Sequence, residues 1–166
     1  MASSAFRFLR SSGNTVLRVG TYSVIIYCGA HCVSEYALDF TKCTGPSMLP
    51  TIKDNDVVLT EHISTKFFSK VDKGDVIVLR SPLDPTQFLC KRVKAMEFDD
   101  IPANKWKFLR TKHIPKGHIW IEGDNTHNST DSRQFGPVPL AMVRGRAVLR
   151  VWPWNRRGYL DPVPDS

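Results

Sequence analysis

DVIVLRSPLDPTQFLCKRVKA, residues 75–95, is the stretch whose reading decides the fold. DVIVLR (75–80) and FLCKRVKA (88–95) are short runs rich in β-branched and aromatic residues, separated by a break containing Pro and Asp. Such runs read as strands punctuated by turns. VVLT (57–60), HIWIEG (118–123) and RGRAVLRVW (144–152) repeat the pattern. With eleven Pro and ten Gly in 166 residues, a helical bundle is disfavoured and a mainly β, antiparallel domain is expected. The polar, basic stretch 98–117 reads as a loop, and 153–166 as a loosely held tail.

Within FLCKRVKA, side chains of a strand alternate between two faces. Leu89, Lys91 and Val93 share one face, and Cys90, Arg92 and Lys94 the other, so Lys91 is the single charge on an apolar face. A free lysine has a pKa near 10.4, leaving roughly 1 in 2,500 neutral at pH 7. Burial lowers that pKa by up to ~3–5 units and turns the amine into a base. The alternative is a lysine that snorkels along the strand to water. A second spot is TGPSMLPT (44–51), where Gly45, Pro46 and Pro50 hold Ser47 in a constrained loop ahead of a strand. Ser47 is either a presented nucleophile or an ordinary turn serine. Together the two residues match a known chemistry, since a lysine can replace histidine as the base for serine. Competing signatures are absent: Leu49 occupies the second glycine of GxSxG, and neither SxxK nor HExxH occurs.

The stretch EGDNTHNSTDSRQFGPVP (122–139) is dense in turn formers, hydroxyls and carboxylates. It lacks the spacing of an EF-hand. Asn128-Ser129-Thr130 forms a glycosylation sequon.

The first forty residues differ in composition. Arg7, Arg10 and Arg18 alternate with serines, and no acid precedes Glu35, as in mitochondrial or plastid targeting segments. Residues 19–34 then run 16 positions without a charge, short of the ~20 that a full span asks for. The segment is expected to be a membrane anchor, or else a helix packed on the domain or on a membrane surface. If it spans, the arginines stay on the matrix or cytosolic side and the domain lies across the membrane. Cys28 and Cys32 share a helix face, which is either a metal site or a small-residue packing face. The expected organisation is an anchor over 1–40, a catalytic domain over 41–152 and a tail over 153–166. The net charge of +7, of which residues 41–166 supply most, permits an anionic partner without requiring one. The four Cys contain no CxxC pair, which excludes a disulfide-dense scaffold and the common zinc modules.

GPSMLPTI (45–52), KGDVIVLRSP (73–82), CKRV (90–93), GHIWIEGDNTHNSTDSRQFGPVP (117–139) and VRGRAVLRVWP (143–153) together resemble the type I signal peptidase family, the Ser–Lys leader peptidases, and within it the mitochondrial inner-membrane members. The resemblance implies a signal-peptidase/LexA-like antiparallel β domain with an N-terminal membrane-anchor helix. It implies a serine endopeptidase that removes presequences from precursor proteins delivered to the intermembrane space. Ser47 stands at the nucleophile's position and Lys91 at the general base's, with no metal or cofactor. Ser129 resembles the hydroxyl that orients the amine, Asp131 and Arg133 a salt bridge beneath the site, and Met48 a residue lining the substrate site. Gly123, Asp124 and Asn125 shape the adjacent turn. The implied partners are precursors, inner-membrane lipid and a homologous second subunit, with no nucleic acid.

Two departures stand out. Gly45 occupies a position where some bacterial members carry an oxyanion-hole serine. Ala95 and Phe98 replace the glycines of the turn that follows KRV. Three rival readings remain: a basic nucleic-acid-binding β domain using Lys105, Trp106, Lys107, Phe108 and Arg110, a self-cleaving repressor, and a catalytically inactive scaffold subunit.

Overall fold

The computed structural model describes residues 2–68, 70–102 and 111–160. Helix α1, Ala2–Tyr36, forms one unit, and a second begins at Leu38. At ~1.5 Å per residue, α1 is about 52 Å long. From Leu17 to Val33 its side chains are exposed, including Val24, Ile25, Ile26 and Tyr27. The hydroxyls of Thr21 and Ser23 donate back to the carbonyls of Leu17 and Val19, both at 2.9 Å, which satisfies them within the helix. No helix among the described residues is long and apolar enough to cross a membrane. The side chains of Arg7 and Arg10 lie outside the described ones.

The second unit is mainly antiparallel β. Its strands are β1 Leu38–Lys42, β2 Val57–Glu61, β3 Val76–Arg80, β4 Phe88–Ala95, β5 Asp100–Pro102, β6 Thr111–His113, β7 His118–Glu122, β8 Val138–Pro139, β9 Val143–Trp152 and β10 Gly158–Tyr159. Short helices α2, Ile63–Phe68, and α3, Ser132–Phe135, join them. The main sheet runs β1-β2-β9-β3-β4-β7-β8, with β10 paired to β9. β1 starts inside the stretch that sequence reading gave to the anchor. The expected loop at 98–117 contains a paired β5 and β6. Residues 103–110, with the candidate nucleic-acid run Lys105 to Arg110, lie outside the described residues.

Both faces of the sheet are covered, which is why β3 is apolar at four successive positions, VIVL. Val76 joins a core with Cys43, Met48, Ile52, Val58 and Leu160. Its neighbours Ile77 and Leu79 point into a second core with Val93, Ile119 and Ile121. Lys91 pairs with Ile77, placing it on the second face, and Cys90 pairs with Val78 on the first.

The C-terminal stretch is better anchored than its sequence suggests. Arg156 pairs with the buried Asp56 at 2.7 Å, and Leu160 is buried. The Arg150 Nε also donates to the Arg156 carbonyl. The partner of Arg156 lies 100 residues upstream, beyond the reach of local pattern. Residues 161–166 lie outside the described ones.

Candidate active site

The loop between β1 and β2 carries Ser47. Gly45 has a φ of +91°, a conformation that favours glycine, and its N–H donates to Asp54 Oδ1 at 2.9 Å. The buried side chains of Met48 and Ile52 anchor the loop in the first core. From the other side, residues 123–125 clamp it: the Asn125 N–H donates to the Ser47 carbonyl at 3.0 Å and its side-chain amide to the Pro46 carbonyl at 3.1 Å. Gly123 lies so close that a Cβ there would collide with Ser129 Oγ and with the Ser47 carbonyl oxygen. Glycine is thus required where the loop, residue 123 and Ser129 meet.

Lys91 lies in β4, 3% exposed, and its Nζ donates to Ser129 Oγ at 3.1 Å. Ser129 Oγ donates in turn to Asp131 Oδ2 at 2.7 Å. Asp131 is fully buried and caps α3, and Gln134 returns the bond by accepting the Asp131 N–H at 2.8 Å. Arg133 grips the same carboxylate through Nε at 2.8 Å and Nη2 at 2.7 Å, and the Gly123 N–H also donates to it at 3.0 Å. The turn-rich composition of 122–139 thus holds one carboxylate beneath one hydroxyl.

The electrostatics follow from this packing. Burial pushes the Lys91 pKa below its ordinary value; Asp131 and Cys90 pull the other way, and Arg133 adds a push downward. Burial of Asp131 disfavours its charge, but hydrogen bonds from Arg133, Gly123 and Ser129 outweigh it and hold the carboxyl at about 2. Arg133 therefore screens from Lys91 the carboxylate it pairs with.

Ser47 and Lys91 line one cleft of about 110 Å³, together with Gly45, Met48, Cys43 and Cys90. Of the residues singled out from sequence, this cleft gathers Ser47, Lys91, Gly45 and Met48, with Ser129, Asp131 and Arg133 in a hydrogen-bonded chain behind Lys91. Cys28 and Cys32 are exposed on α1, and among the described residues no group of three His, Cys, Asp or Glu converges on a metal-sized point.

Arg92 was not singled out as a site residue. It is 1% exposed on the other face of β4 and binds Asp124 through Nε and Nη2, both at 2.8 Å. Its Nη1 donates to the Gly74 carbonyl at 2.7 Å, and Thr51 Oγ1 donates to Asp124 Oδ2 at 2.6 Å. This fork ties β4, the Ser47 loop and the 123–125 turn together. Alternation sent Arg92 away from Lys91 correctly, but that face is core, not water. The available signal was an arginine inside a strand together with an acid in the GDN triplet. Phe98 adopts a φ of +68°, so the turn after β4 keeps a left-handed residue without the glycine that suits it.

A family model for signal peptidase, peptidase S26, matches residues 16–107 and 102–152. The mitochondrial inner membrane protease subunit 1 of Xenopus tropicalis is 46% identical over 159 residues, 95% of this chain and 94% of that protein. Its Mus musculus counterpart is 39% identical over 95% of this chain and 96% of its own length. The mitochondrial inner membrane protease subunit 2 of Saccharomyces cerevisiae is 34% identical over 95% of this chain and 88% of its own. A strand-borne lysine and a loop serine in one cleft, over a match of this extent, leave one assignment: the chain belongs to the signal peptidase family, peptidase S26.

Proposed function

We propose that this chain is a serine endopeptidase of the mitochondrial inner membrane in which Ser47 is the nucleophile and Lys91 the general base. The observation that carries the reading is the buried Lys91 amine, 3.1 Å from Ser129 Oγ, in the cleft that Ser47 also lines. Because the Ser129 proton is committed to Asp131, its oxygen is left to accept from Lys91. That bond occupies one N–H of the amine and orients its lone pair. A neutral Lys91 takes the Ser47 proton as Oγ attacks the scissile carbonyl, and then donates it to the leaving amine. Water activated by the same amine hydrolyses the acyl-enzyme. The Gly45 N–H is engaged by Asp54, so the oxyanion falls to the Ser47 N–H.

The substrates are precursor proteins whose sorting segments are cut on the intermembrane-space side. Helix α1, with its exposed apolar side chains and internally satisfied hydroxyls, attaches the enzyme to the membrane; the reading asks for attachment and not for a full span. The relatives named as subunits 1 and 2 support a partnership with a homologous second subunit. The test is to incubate the full-length protein, Ser47→Ala and Lys91→Ala with precursors and to sequence the new N-termini. Both variants stay folded and leave the precursor intact. A Lys91→Ala enzyme that cleaves at the wild-type rate refutes the base assignment.

A further inference from the structure

Cys43 and Cys90 have no part in the chemistry above, yet the fold brings them together inside the catalytic cleft. Cys43 follows β1 in the loop that carries Ser47, and Cys90 immediately precedes Lys91 in β4. Cys90 packs against the core that contains Cys43. All four cysteines are free, and the other two stand exposed on α1. Cys43 on the nucleophile's loop and Cys90 on the base's strand thus both line the cleft that a substrate must enter.

We propose that Cys43 and Cys90 form a redox gate on the cleft: peroxide links them in a disulfide that stops cleavage, and a thiol reductant reopens the site. The inference rests on the Ser47–Lys91 reading. Cys43 is the sulfur oxidised first. The neighbouring Cys90 thiol lowers its pKa, whereas Cys43 and burial raise that of Cys90. The Cys43 thiolate attacks one oxygen of the peroxide, breaking the O–O bond and leaving, once protons are taken up, a sulfenic acid and one water. The Cys90 sulfur then attacks the sulfenic sulfur. The S–S bond forms, the S–O bond breaks, and hydroxide leaves with the Cys90 proton as a second water. The two thiols are oxidised by two electrons and the peroxide is reduced by two. A dithiol such as dithiothreitol reverses the link by exchange.

The link blocks catalysis because it moves both halves of the site. A disulfide holds its two sulfurs at ~2.05 Å, which draws the Ser47 loop toward β4. A misplacement on the order of 1 Å at reacting groups costs roughly 100-fold in rate.

The experiment uses the full-length protein in lipid. It is reduced, exposed to hydrogen peroxide and then reduced again. Peptide mass spectrometry reads the link, and cleavage of a precursor peptide reads the rate. The expected result is a cross-linked peptide joining Cys43 to Cys90, a rate roughly 100-fold lower, and recovery with dithiothreitol. The Cys28→Ser/Cys32→Ser double variant shows the same loss and recovery. In Cys90→Ser, whatever its own reduced rate, the oxidised-to-reduced ratio stays near one. The proposal is overturned by a cross-linked enzyme that still cleaves, by a loss of rate without the cross-link, or by an equal loss in Cys90→Ser. A Ser47→Ala enzyme that cleaves like the wild type fails the catalytic reading instead, and the mass spectrum still reports separately whether the pair closes.

Discussion

Replacing Arg133 with leucine tests what holds the Lys91 pKa below its ordinary value. The guanidinium holds Asp131 through two bonds of 2.8 and 2.7 Å. Without it, the buried carboxylate acts on the lysine unopposed. Hydrogen bonds of 3.1 and 2.7 Å chain the amine through Ser129 to that carboxylate, so the two charges sit no more than roughly 6 Å apart. At an effective dielectric of ~20, that separation is worth roughly 3 kcal/mol. Arg133 is about one-third exposed, so its counter-field is partly screened by solvent. The Lys91 pKa is therefore expected to rise, and the neutral fraction at pH 7 to fall by up to roughly 100-fold. The assay is kcat/KM for a precursor peptide, followed from neutrality to pH ~10, where the rising limb reports the base in the free enzyme. That limb moves to higher pH, and the rate recovers in alkali. General damage to the fold lowers the rate at every pH and leaves the limb in place. Arg133→Lys, which keeps the charge, restores most of the wild-type profile. A folded Arg133→Leu enzyme whose limb stays put, or moves toward acid, refutes the electrostatic account of Lys91.

Three further outcomes follow from the packing. Gly123→Ala forces a Cβ against Ser129 Oγ and the Ser47 carbonyl; it costs about 1–3 kcal/mol of stability and roughly 100-fold in cleavage, as read by urea unfolding and peptide kinetics. Asp124→Ala strands the buried Arg92 guanidinium and destabilises by roughly 3–5 kcal/mol, and a midpoint within ~1 kcal/mol of wild type contradicts the buried fork. Phe98→Gly removes the left-handed strain of an exposed side chain, worth about 1–2 kcal/mol, against about 0.4–1 kcal/mol of added unfolded-state entropy; thermal unfolding shows a small net gain.

Strand positions were legible because alternation and turn residues are local properties of the chain. FLCKRVKA occupies β4 from Phe88 to Ala95, as its pattern predicts. The β1 strand was hidden because LDFTK follows directly on α1 without a turn signal, and its pairing with Val57–Glu61 is a long-range fact. β5 and β6 were hidden because each is three residues long and mostly exposed, too short for a period to show.

Sequence alone determined the chemistry available: a serine on a constrained loop, a lysine on an apolar strand face, and a string of residues able to satisfy them. It could not say that Arg92 is buried as deeply as Lys91, because alternation names opposite faces without saying that both are covered. It could not separate the fates of these adjacent cations. Tertiary structure decided that, by giving Arg92 a bidentate carboxylate and Lys91 a hydroxyl. Burial opposite a carboxylate keeps a cation charged, whereas burial against a hydroxyl backed by a neutralised carboxylate favours the free amine. The partners that make this distinction lie 32 and 38 residues away in the chain and meet Arg92 and Lys91 only when β4 and β7 pair.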